Sequence, residues 1–376
     1  MNQILIRNNK SASLLKIIDE KSYKRIFLVT GGNSYKVSGA EEFIKEINSR
    51  LETTRFFEFS NNPKYEDVLN GVNLFSSSSY DIIIAIGGGS VIDMAKLINV
   101  FSNIDEKYHL NVINGSSKNL TVSTPLIAVP TTSGSGSEAT HFAVMYHNDN
   151  KCSIAGKQIM PDVAFLNHEF ISTQNAYLKS CTGLDALAQA IESYWSVQST
   201  VESRKYAEES IRLLLDNLEY SVNNNNQESN KNLSYASYLA GKAINISKTT
   251  FCHAVSYSIT NHYGIPHGHA VFMTLPDTLR YNYNINKDNC NDERGHVFVK
   301  KNMEELLNLL GSNDIVDTVS SLRNLVKRIG VNISFKDNNI SNTDLDFIFN
   351  NINKQRLLNN PRMIDVKEIK ELFLDT

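Results

Sequence analysis

The sequence predicts a two-domain protein, with an α/β domain over residues 1–163 and an all-α domain over residues 164–376. Two observations support this division. In the first part, short β-rich runs alternate with segments of helical spacing, which is typical of βαβ units around a mostly parallel sheet. From about Asn167 onward, nearly every segment has helical length and spacing, and strand-like runs disappear. A chain of 376 residues is long enough for two cores.

The elements follow from local composition. Strands are predicted at RIFLVT, RFFEFS, YDIIIAI and PLIAVP, and helices at residues 40–51 and 65–75. FAVMYH and KCSIAG, on either side of the turn-forming NDN, predict a hairpin. In the second domain, helices are predicted at 174–196, 200–219, 231–250, 252–263 and 270–281. The asparagine run 223–226 is predicted to be a solvated loop.

Composition excludes several classes of function. With 37 basic and 40 acidic side chains, the chain has no electrostatic reason to bind nucleic acid or an anionic membrane. Its four cysteines are widely spaced, which argues against a disulfide framework or a cysteine zinc site and fits a reducing compartment. The N-terminal segment lacks the apolar region of a signal peptide, and no apolar run has the length of a membrane span. We therefore expect a cytoplasmic protein.

A glycine-rich turn follows a buried strand in IIIAIGGGSVIDMAK. Gly87, Gly88, Gly89 and Ser90 let the backbone approach a phosphate, and the amides of the following helix N-terminus favour an anion. This turn suits the pyrophosphate of a nucleotide. The alternative is that Ser90 and Asp93 only form a capping box. Three consecutive glycines exceed what a cap requires, so phosphate binding is favoured.

A second polar loop, VPTTSGSGSEAT, follows the strand at 125–130. Open α/β sheets bind ligands at the carboxyl ends of their strands. Thr131, Thr132 and Ser135 could therefore bond an amide, ribose or phosphate of a cofactor. The alternative is a plain polar loop.

The helical domain carries candidate metal ligands. Asp185 and Gln189 are four residues apart and share one helix face, with Glu192 close to that face. A carboxylate and two imidazoles from separate helices could hold a divalent metal, or the histidines could serve packing and hydrogen bonding. The stretch CHAVSYSITNHYGIPHGHA supplies four histidines: His253, His262, His267 and His269.

Four motifs together resemble the iron-containing (group III) alcohol dehydrogenase family. GGGSVIDMAK, VPTTSGSGSEAT, GLDALAQAIESYW and the histidine-rich stretch occur in the order and at the spacing of that family, over roughly residues 20–290. The resemblance implies a dehydroquinate synthase-like fold. It also implies an N-terminal dinucleotide-binding domain, a C-terminal helical domain and an active site in the cleft between them.

The resemblance also implies roles for individual residues. Asp93 would lie near the nicotinamide end of the cofactor. The positions that match cofactor contacts are Gly88, Gly89, Ser90, Thr131, Thr132, Ser135, Asn62 and Lys151. Asp185, His253 and His267 match three of the four family metal ligands, so the implied metal is Fe²⁺ or Zn²⁺.

The chain departs from the family pattern at two positions of the metal site. Gln189 occupies the place of a histidine ligand, and Tyr257 stands where many members have a second histidine near the metal. A glutamine offers a neutral oxygen that binds a borderline metal more weakly than imidazole. We interpret Gln189 as a tolerated or tuned fourth ligand; contact with the metal through water is the alternative.

A third departure concerns the cofactor. Many members carry an aspartate where this chain has Gly31, and that aspartate would repel a 2′-phosphate. Its loss, with Asn33, Ser34 and Lys36 nearby, predicts that NADPH is accepted, and NADH remains an alternative.

Details of the motifs resemble the phosphonoacetaldehyde reductase subgroup, which implies an anionic substrate. Asn245 and Thr249 precede His253 by eight and four residues, a spacing expected to face the same way on one helix. Lys242 and Lys248 lie on the same segment and could bind an oxyanion, or they could be solvated surface cations. His141 is a further candidate for the substrate pocket, or a core histidine bonded to backbone.

The predicted reaction is hydride transfer from NADPH or NADH to a small aldehyde, most plausibly phosphonoacetaldehyde, giving 2-hydroxyethylphosphonate. The predicted catalytic residues are Asp185, His253, His267 and Tyr257, with the proton supplied by water linked to His267, Tyr257 or the cofactor ribose. The alternatives are a general alcohol or polyol dehydrogenase, a dehydroquinate-type lyase, and a non-catalytic nucleotide-binding protein with a lapsed metal site. A homodimer is expected.

Overall fold

The computed structural model describes residues 3–116, 120–148, 150–352 and 354–374. It divides into two compact units, Met1–Gln174 and Asn175–Thr376. The predicted boundary between residues 163 and 164 falls inside a strand, Val163–Leu166, which pairs with two other strands of the first unit. A four-residue strand is too short to show periodicity in the sequence.

The first unit is built on a six-stranded sheet in which every paired strand is parallel. The strand order is β1-β8-β5-β4-β2-β3, and β6 and β7 form a separate antiparallel hairpin. The strands are β1 (Ile4–Arg7), β2 (Arg25–Thr30), β3 (Glu52–Phe56), β4 (Ile82–Gly87), β5 (Leu126–Pro130), β6 (Phe142–His147), β7 (Asn150–Ala155) and β8 (Val163–Leu166). The predicted parallel sheet and the hairpin are confirmed.

Helices cover both faces of the sheet. In β2, Ile26 and Leu28 pack into one apolar cluster and Phe27 and Val29 into another, as the alternation of side chains along a strand requires. All four side chains are fully buried, which is typical of a parallel sheet with both faces covered. The helices of this unit are α1 (Ser11–Glu20), α2 (Asn33–Val37), α3 (Ala40–Arg50), α4 (Tyr65–Ser76), α5 (Gly89–Phe101), α6 (His109–Ile113) and α7 (Glu169–Ser172).

The strand predicted at RFFEFS lies earlier in the chain than expected. β3 starts at Glu52, which pairs with Arg25 at the start of β2, and the pairing ends with Val29 and Phe56. The aromatic residues beyond Phe56 therefore lie after the strand.

In the described residues of the second unit, all regular elements are helices, as predicted. Its helices are α8 (Ala176–Trp195), α9 (Val201–Asn224), α10 (Gln227–Ser247), α11 (Phe251–Tyr263), α12 (His267–Phe272), α13 (Leu275–Tyr283), α14 (His296–Leu309), α15 (Ile315–Arg328), α16 (Asn342–Asn350), α17 (Lys354–Leu357) and α18 (Val366–Leu374). The segment predicted as one helix over 270–281 is instead divided between α12 and α13. Within the described part of the chain, no helix combines the length and apolarity that crossing a membrane needs.

The asparagine run 223–226 is exposed and joins two helices, as predicted, but the connection between them is only two residues long. α9 continues to Asn224, Asn225 takes a left-handed conformation with φ of 49°, and Asn226 caps α10 by accepting from the Ser229 amide. The side chain of Asn225 accepts a hydrogen bond from buried Lys179. This turn is therefore packed onto α8.

Candidate metal centre and cofactor loops

The glycine-rich turn connects β4 to α5. Gly88 is the N-cap of α5, and no side chain caps the helix. The amides of Val91 and Ile92 donate to the Gly88 carbonyl. The capping box between Ser90 and Asp93 does not form. The helix therefore begins with backbone amides and no competing side chain, which suits an anion.

The second polar loop lies directly against this turn, because β4 and β5 are neighbours in register Gly87 to Pro130. The Thr131 amide donates to the Gly87 carbonyl at 2.9 Å. A Cβ added at Gly89 would lie 2.6 Å from Ser135 Oγ, so only glycine allows the two loops this close approach. The structure thus brings together the two loops predicted to bind the cofactor.

Lys96, on α5, holds the second polar loop through hydrogen bonds to its backbone. Its Nζ donates to the carbonyls of Ser137, Thr140 and Phe142 at 2.6, 2.8 and 2.9 Å. The same ammonium lies 3.3 Å from Ser137 Oγ and 3.1 Å from Thr140 Oγ1. Sequence analysis assigned Lys96 no role, since its partners are 41 to 46 residues away.

Two carboxylates accompany Lys96, and we call Asp93, Lys96 and Glu138 the Lys96 cluster. Asp93 accepts from Ser137 Oγ–H and from the Val144 amide, which places its carboxylate in the support of the loop. Burial lowers the pKa of Lys96 to about 8, an effect that Asp93 and Glu138 oppose. Burial raises the pKa of Glu138 to about 7.

The region after β2 carries the residues predicted to choose the cofactor. Gly31 follows the strand, and Asn33 and Ser34 are exposed at the start of α2. Arg55 on the neighbouring β3 donates to the Gly31 carbonyl at 3.0 Å and to Thr30 Oγ1 at 2.8 Å. Its guanidinium also stacks on the rings of Tyr35 and Phe57, at 4.1 and 4.3 Å. Sequence analysis missed this cation.

The remaining predicted residues of the first unit take varied positions. Asn62 is exposed on the segment that follows β3. Lys151 is half-buried on β7. Burial raises the pKa of Asp93, and the charges of Lys96 and, more weakly, Lys151 oppose this rise. His141 packs edge-on against Phe142, and its carbonyl accepts from the Gly156 amide.

The candidate metal ligands converge in the second unit. Asp185 lies on α8, His253 on α11 and His267 at the start of α12, and their ligand atoms all lie within 4.8 Å of one another. Asp185 Oδ1 is 3.3 Å from His253 Nε2 and 3.9 Å from His267 Nε2. One carboxylate and two imidazoles facing a common point form a donor set suited to Fe²⁺ or Zn²⁺.

Two atoms of this cluster are buried without hydrogen bonds. Asp185 Oδ1 and His253 Nε2 form none with any described residue, although they are close to each other. Buried polar atoms are nearly always paired, so atoms left in this state indicate a missing partner. A divalent cation at the centre would satisfy both, and the residues present therefore fit a metal.

The charges of the ligands match this interpretation. Burial alone would raise the pKa of Asp185, but the imidazoles of His267 and His253 lower it. Burial alone would lower the pKa of His253, but Glu192 and Asp185 raise it to about 10. The cluster therefore has an electrostatic demand for positive charge.

Glu192 orients His253 and was not assigned a role from sequence. Its Oε2 contacts His253 Nδ1, which leaves Nε2 on the side of Asp185. Its Oε1 accepts from Thr250 Oγ1 and from the amides of Thr250 and Cys252, at 2.6, 3.2 and 2.9 Å. A carboxylate behind a ligating histidine is the usual arrangement in metal sites. Its position near the face of Asp185 was the only available signal.

Gln189 lies one turn after Asp185 on α8 and is 4% exposed. It forms a hydrogen bond with Asp185 that lowers the pKa of that carboxyl. The glutamine therefore lies beside the cluster, with an amide oxygen as its potential ligand atom.

Gly268 sets the distance between α8 and α12. A Cβ added at this position would lie 1.9 Å from the Cys181 carbonyl oxygen and 2.7 Å from Asp185 Cβ. Any larger residue would push apart the helices that carry Asp185 and His267.

Tyr257 takes part in a stack beside the metal ligands. Its ring is parallel to that of His267, with centroids 5.4 Å apart and planes 8° apart. Arg356 donates from Nη1 to the Tyr257 hydroxyl at 2.7 Å, and its guanidinium carbon lies 4.8 Å from the ring centroid. Ser256 Oγ is 3.3 Å from His267 Nδ1.

The helical spacing argued for the substrate residues is wrong. Asn245 and Thr249 share no continuous helix with His253, because α10 ends at Ser247 and Lys248 has a φ of 62°. The side chain of Asn359 donates to the Thr249 carbonyl at 2.9 Å.

The two predicted lysines lie in different surroundings. Lys242 Nζ lies 5.4 Å from the centre of the Tyr206 ring on α9. Lys248 is half-buried, and burial lowers its pKa.

The other two histidines have packing roles, as the alternative interpretation allowed. His269 Nδ1 is 3.0 Å from the Tyr177 hydroxyl, and its Nε2 is 2.7 Å from the Asn332 carbonyl. His262 packs edge-on against Phe347.

Comparison with known proteins gives consistent results. The family description "Iron-containing alcohol dehydrogenase" matches residues 2–168, and "Fe-containing alcohol dehydrogenase family, C-terminal" matches residues 179–376. Phosphonoacetaldehyde reductase of Streptomyces viridochromogenes is 32% identical over 240 residues, which cover 61% of this chain and 60% of that enzyme. 1,3-Propanediol dehydrogenase of Citrobacter freundii is 29% identical and covers 93% of this chain, with 90% of its own length matched.

Among solved structures, sulfoacetaldehyde reductase from Bifidobacterium kashiwanohense, in complex with NAD⁺, has a TM-score of 0.87 to this chain. It is 26% identical, and the match covers 100% of this chain and 97% of the reductase. The fold class predicted from sequence is thereby confirmed.

Proposed function

Because this chain belongs to the iron-containing alcohol dehydrogenase family, we propose that it reduces a small anionic aldehyde to a primary alcohol, with phosphonoacetaldehyde as the preferred candidate. The chain is an NAD(P)-dependent alcohol dehydrogenase or aldehyde reductase. The observation that carries the proposal is the convergence of Asp185, His253 and His267, in which Asp185 Oδ1 and His253 Nε2 are buried without a hydrogen bond.

Asp185, His253 and His267 would hold a divalent metal, with Gln189 as the proposed fourth ligand. When bound, such an ion acts as a Lewis acid that polarises a carbonyl oxygen and stabilises negative charge on it. Glu192 keeps His253 in the tautomer with Nε2 available. Tyr257 and His267 stack at the edge of the set, where we propose that they hold a water able to donate the proton.

The two loops of the first unit would hold the cofactor. The amides at the start of α5 would bind its pyrophosphate, and the hydroxyls of Thr131, Thr132 and Ser135 would bond its polar edges. A reduced nicotinamide supplies the hydride in this class of reaction.

Cofactor choice depends on the end of β2. Gly31 offers no carboxylate to repel a 2′-phosphate, and Arg55 lies 3.0 Å from its carbonyl with no carboxylate partner in the described part of the chain. An arginine there favours NADPH. We expect Arg55→Gln to raise the KM for NADPH at least about tenfold while that for NADH changes less than about threefold. Arg25→Gln, which removes an exposed ion pair with Glu52, is the matched control. An equal change for both cofactors would contradict this role.

The proposed substrate class rests on two relatives. The phosphonoacetaldehyde and sulfoacetaldehyde reductases are both named for two-carbon aldehydes with an anionic group. The propanediol dehydrogenase, which matches more of the chain, makes a neutral hydroxyaldehyde the second candidate.

The test is metal analysis of protein purified without chelator, followed by steady-state kinetics. We expect about one equivalent of metal per chain and a higher kcat/KM for phosphonoacetaldehyde and sulfoacetaldehyde than for 3-hydroxypropanal and butanal. Nucleotide binding with neither metal nor turnover would indicate a non-catalytic protein. Light scattering tests the proposed homodimer.

A further inference from the structure

We propose that Arg356 binds the anionic end of the aldehyde substrate. This inference rests on the proposed function, because it names the residue that would give the site its preference for a charged substrate. Arg356 belongs to none of the sequence motifs. It lies on a short separate helix, α17, 89 residues after His267 in the sequence.

Arg356 reaches the metal ligands through a stack of planar groups. Its Nη1 donates to the Tyr257 hydroxyl at 2.7 Å, and its guanidinium carbon lies 4.8 Å from the centre of the Tyr257 ring. That ring is parallel to His267 at 5.4 Å. A positive charge is therefore held one aromatic ring away from a metal ligand.

The guanidinium retains most of its hydrogen-bonding capacity. An arginine has five N–H donors, and the bond to Tyr257 uses one of them. The described residues provide no other hydrogen bond and no carboxylate for Arg356, although Arg294, Arg323 and Arg362 each pair with an acid. Its side chain is half-buried, and none of its nitrogens is buried without a partner. The free donors therefore face solvent beside the site.

This arrangement fits an oxyanion such as a phosphonate or sulfonate. Two parallel N–H groups of an arginine match two oxygens of such a group, and the planar fork loses little freedom on binding. Tyr257 holds the fork by both stacking and a hydrogen bond, which lowers the entropy that binding would cost.

The lysines predicted for this role are less well suited. Lys242 Nζ contacts the Tyr206 ring, and Lys248 follows the end of α10, outside any helix shared with His253. Arg356 is the cation whose contacts with described residues lead directly to a metal ligand.

A purely structural role for Arg356 is the competing explanation, since the side chain could serve only to hold Tyr257. The two roles predict different kinetics. A structural role would affect all substrates alike, whereas an anion-binding role would affect only charged ones and would change KM more than kcat.

The test compares the metal-loaded wild type with two variants. Arg356→Met keeps an unbranched stem without the charge, and Arg356→Lys keeps the charge without the fork. Each is assayed with phosphonoacetaldehyde and with neutral butanal. For Arg356→Met we expect kcat/KM to fall about 10- to 100-fold for the phosphonate and less than about threefold for butanal. Arg356→Lys should recover part of the loss. Calorimetric binding of 2-hydroxyethylphosphonate, which needs no turnover, should weaken by a similar factor.

Arg328→Met is the matched control, because Arg328 pairs with Glu219 on the exposed surface of the same unit. It should leave both substrates unaffected. Metal content and the melting temperature of each variant show whether the site and fold are intact. Equal losses for both aldehydes, or unchanged binding of the phosphonate, would overturn the role of Arg356 alone. A wild type that does not prefer charged aldehydes would overturn the proposed substrate class, and the inference with it.

Discussion

The Lys96 cluster of the first unit and the metal ligands of the second are both sets of buried charged side chains. Lys96 brings its own ammonium to three carbonyl oxygens, and the Asp93 carboxylate accepts two hydrogen bonds from its surroundings. In the second unit, Asp185 pairs with no lysine or arginine among the described residues, and two of its cluster's ligand atoms are left without hydrogen bonds.

The difference shows how a structural charge cluster can be told from a ligand site. Burying charge is costly unless the partners are present. Where the chain supplies the partners, as it does for the ammonium of Lys96, the interaction stabilises the fold. Where a cation is missing, as at Asp185, the chain accepts an unfavourable arrangement that a bound ion relieves. The first cluster should therefore not respond to chelators, and the second should.

The largest expected effect comes from removing the charge of the metal site. Asp185→Asn should abolish metal binding and lower kcat/KM at least about 1,000-fold, because the central anionic ligand is lost. Metal analysis and steady-state kinetics measure both. The free energy of unfolding should fall more in the presence of metal than in chelator, because a bound ion stabilises the folded chain only when its ligand is present. Asp216→Asn on the exposed face of α9 is the control. Full metal content in Asp185→Asn would refute the ligand assignment.

Removing the ammonium of Lys96 should lower the stability of the fold and not depend on the metal. Lys96→Met leaves three carbonyl oxygens and Asp93 without their cation, so we expect a loss of about 3–5 kcal/mol in the free energy of unfolding, with or without chelator. Urea denaturation of the wild type and the variant measures it. Lys45→Met, at an exposed ion pair on α3, should be nearly neutral. A small loss in the free energy of unfolding that disappears when the metal is removed would contradict the distinction between the two clusters.

Glu138 gives the Lys96 cluster a pH dependence. Burial raises its pKa to about 7, from 4.5 when unfolded. Between pH 4.5 and 7, the folded chain therefore keeps a proton on Glu138 that the unfolded chain loses. The contribution to stability is present in full below pH 4.5 and is lost as the pH rises through 7. Compared with the wild type, Glu138→Gln should therefore gain stability between pH 5 and 7.5, by on the order of 2 kcal/mol. Parallel pH dependence of the two melting temperatures would exclude this role.

The smallest effect concerns the departure from the family at Gln189. If its amide oxygen contacts the ion, Gln189→His should tighten metal binding by about tenfold, or ~1.4 kcal/mol. Competition with a coloured chelator measures the dissociation constant. Gln198→His is the control, because the Gln198 side chain is exposed and only its backbone amide donates to Asn359 Oδ1. An unchanged constant would place Gln189 outside direct contact with the metal.

Sequence reasoning recovered the parts of this molecule that are encoded locally. The parallel sheet, the hairpin and the glycine turn follow from short-range patterns, and spacing placed Asp185 and Gln189 on one face of α8. It missed β1 and β8, because four-residue strands carry too little periodicity. The split between α12 and α13 was also missed, since the apolar pattern continues across it.

The missed functional residues have partners far along the chain. Glu192 contacts His253, 61 residues away, and Arg356 contacts Tyr257, 99 residues away. No spacing rule connects such pairs, so only the folded chain shows them. The spacing argument for Asn245 and Thr249 failed for the related reason that a turn at Lys248 separates them from His253.

The close contact at Gly268 fixes how near the helices that carry Asp185 and His267 can lie. Since the Gly268 Cα lies against the backbone at Cys181 and Asp185, the separation of two ligands is fixed by main-chain atoms and not by side-chain rotamers. Because glycine carries only a hydrogen atom where alanine carries a methyl group, the two helices can lie this close together. The separation of Asp185 and His267 is therefore independent of the side chain at position 189, so a change of the fourth donor would leave it intact.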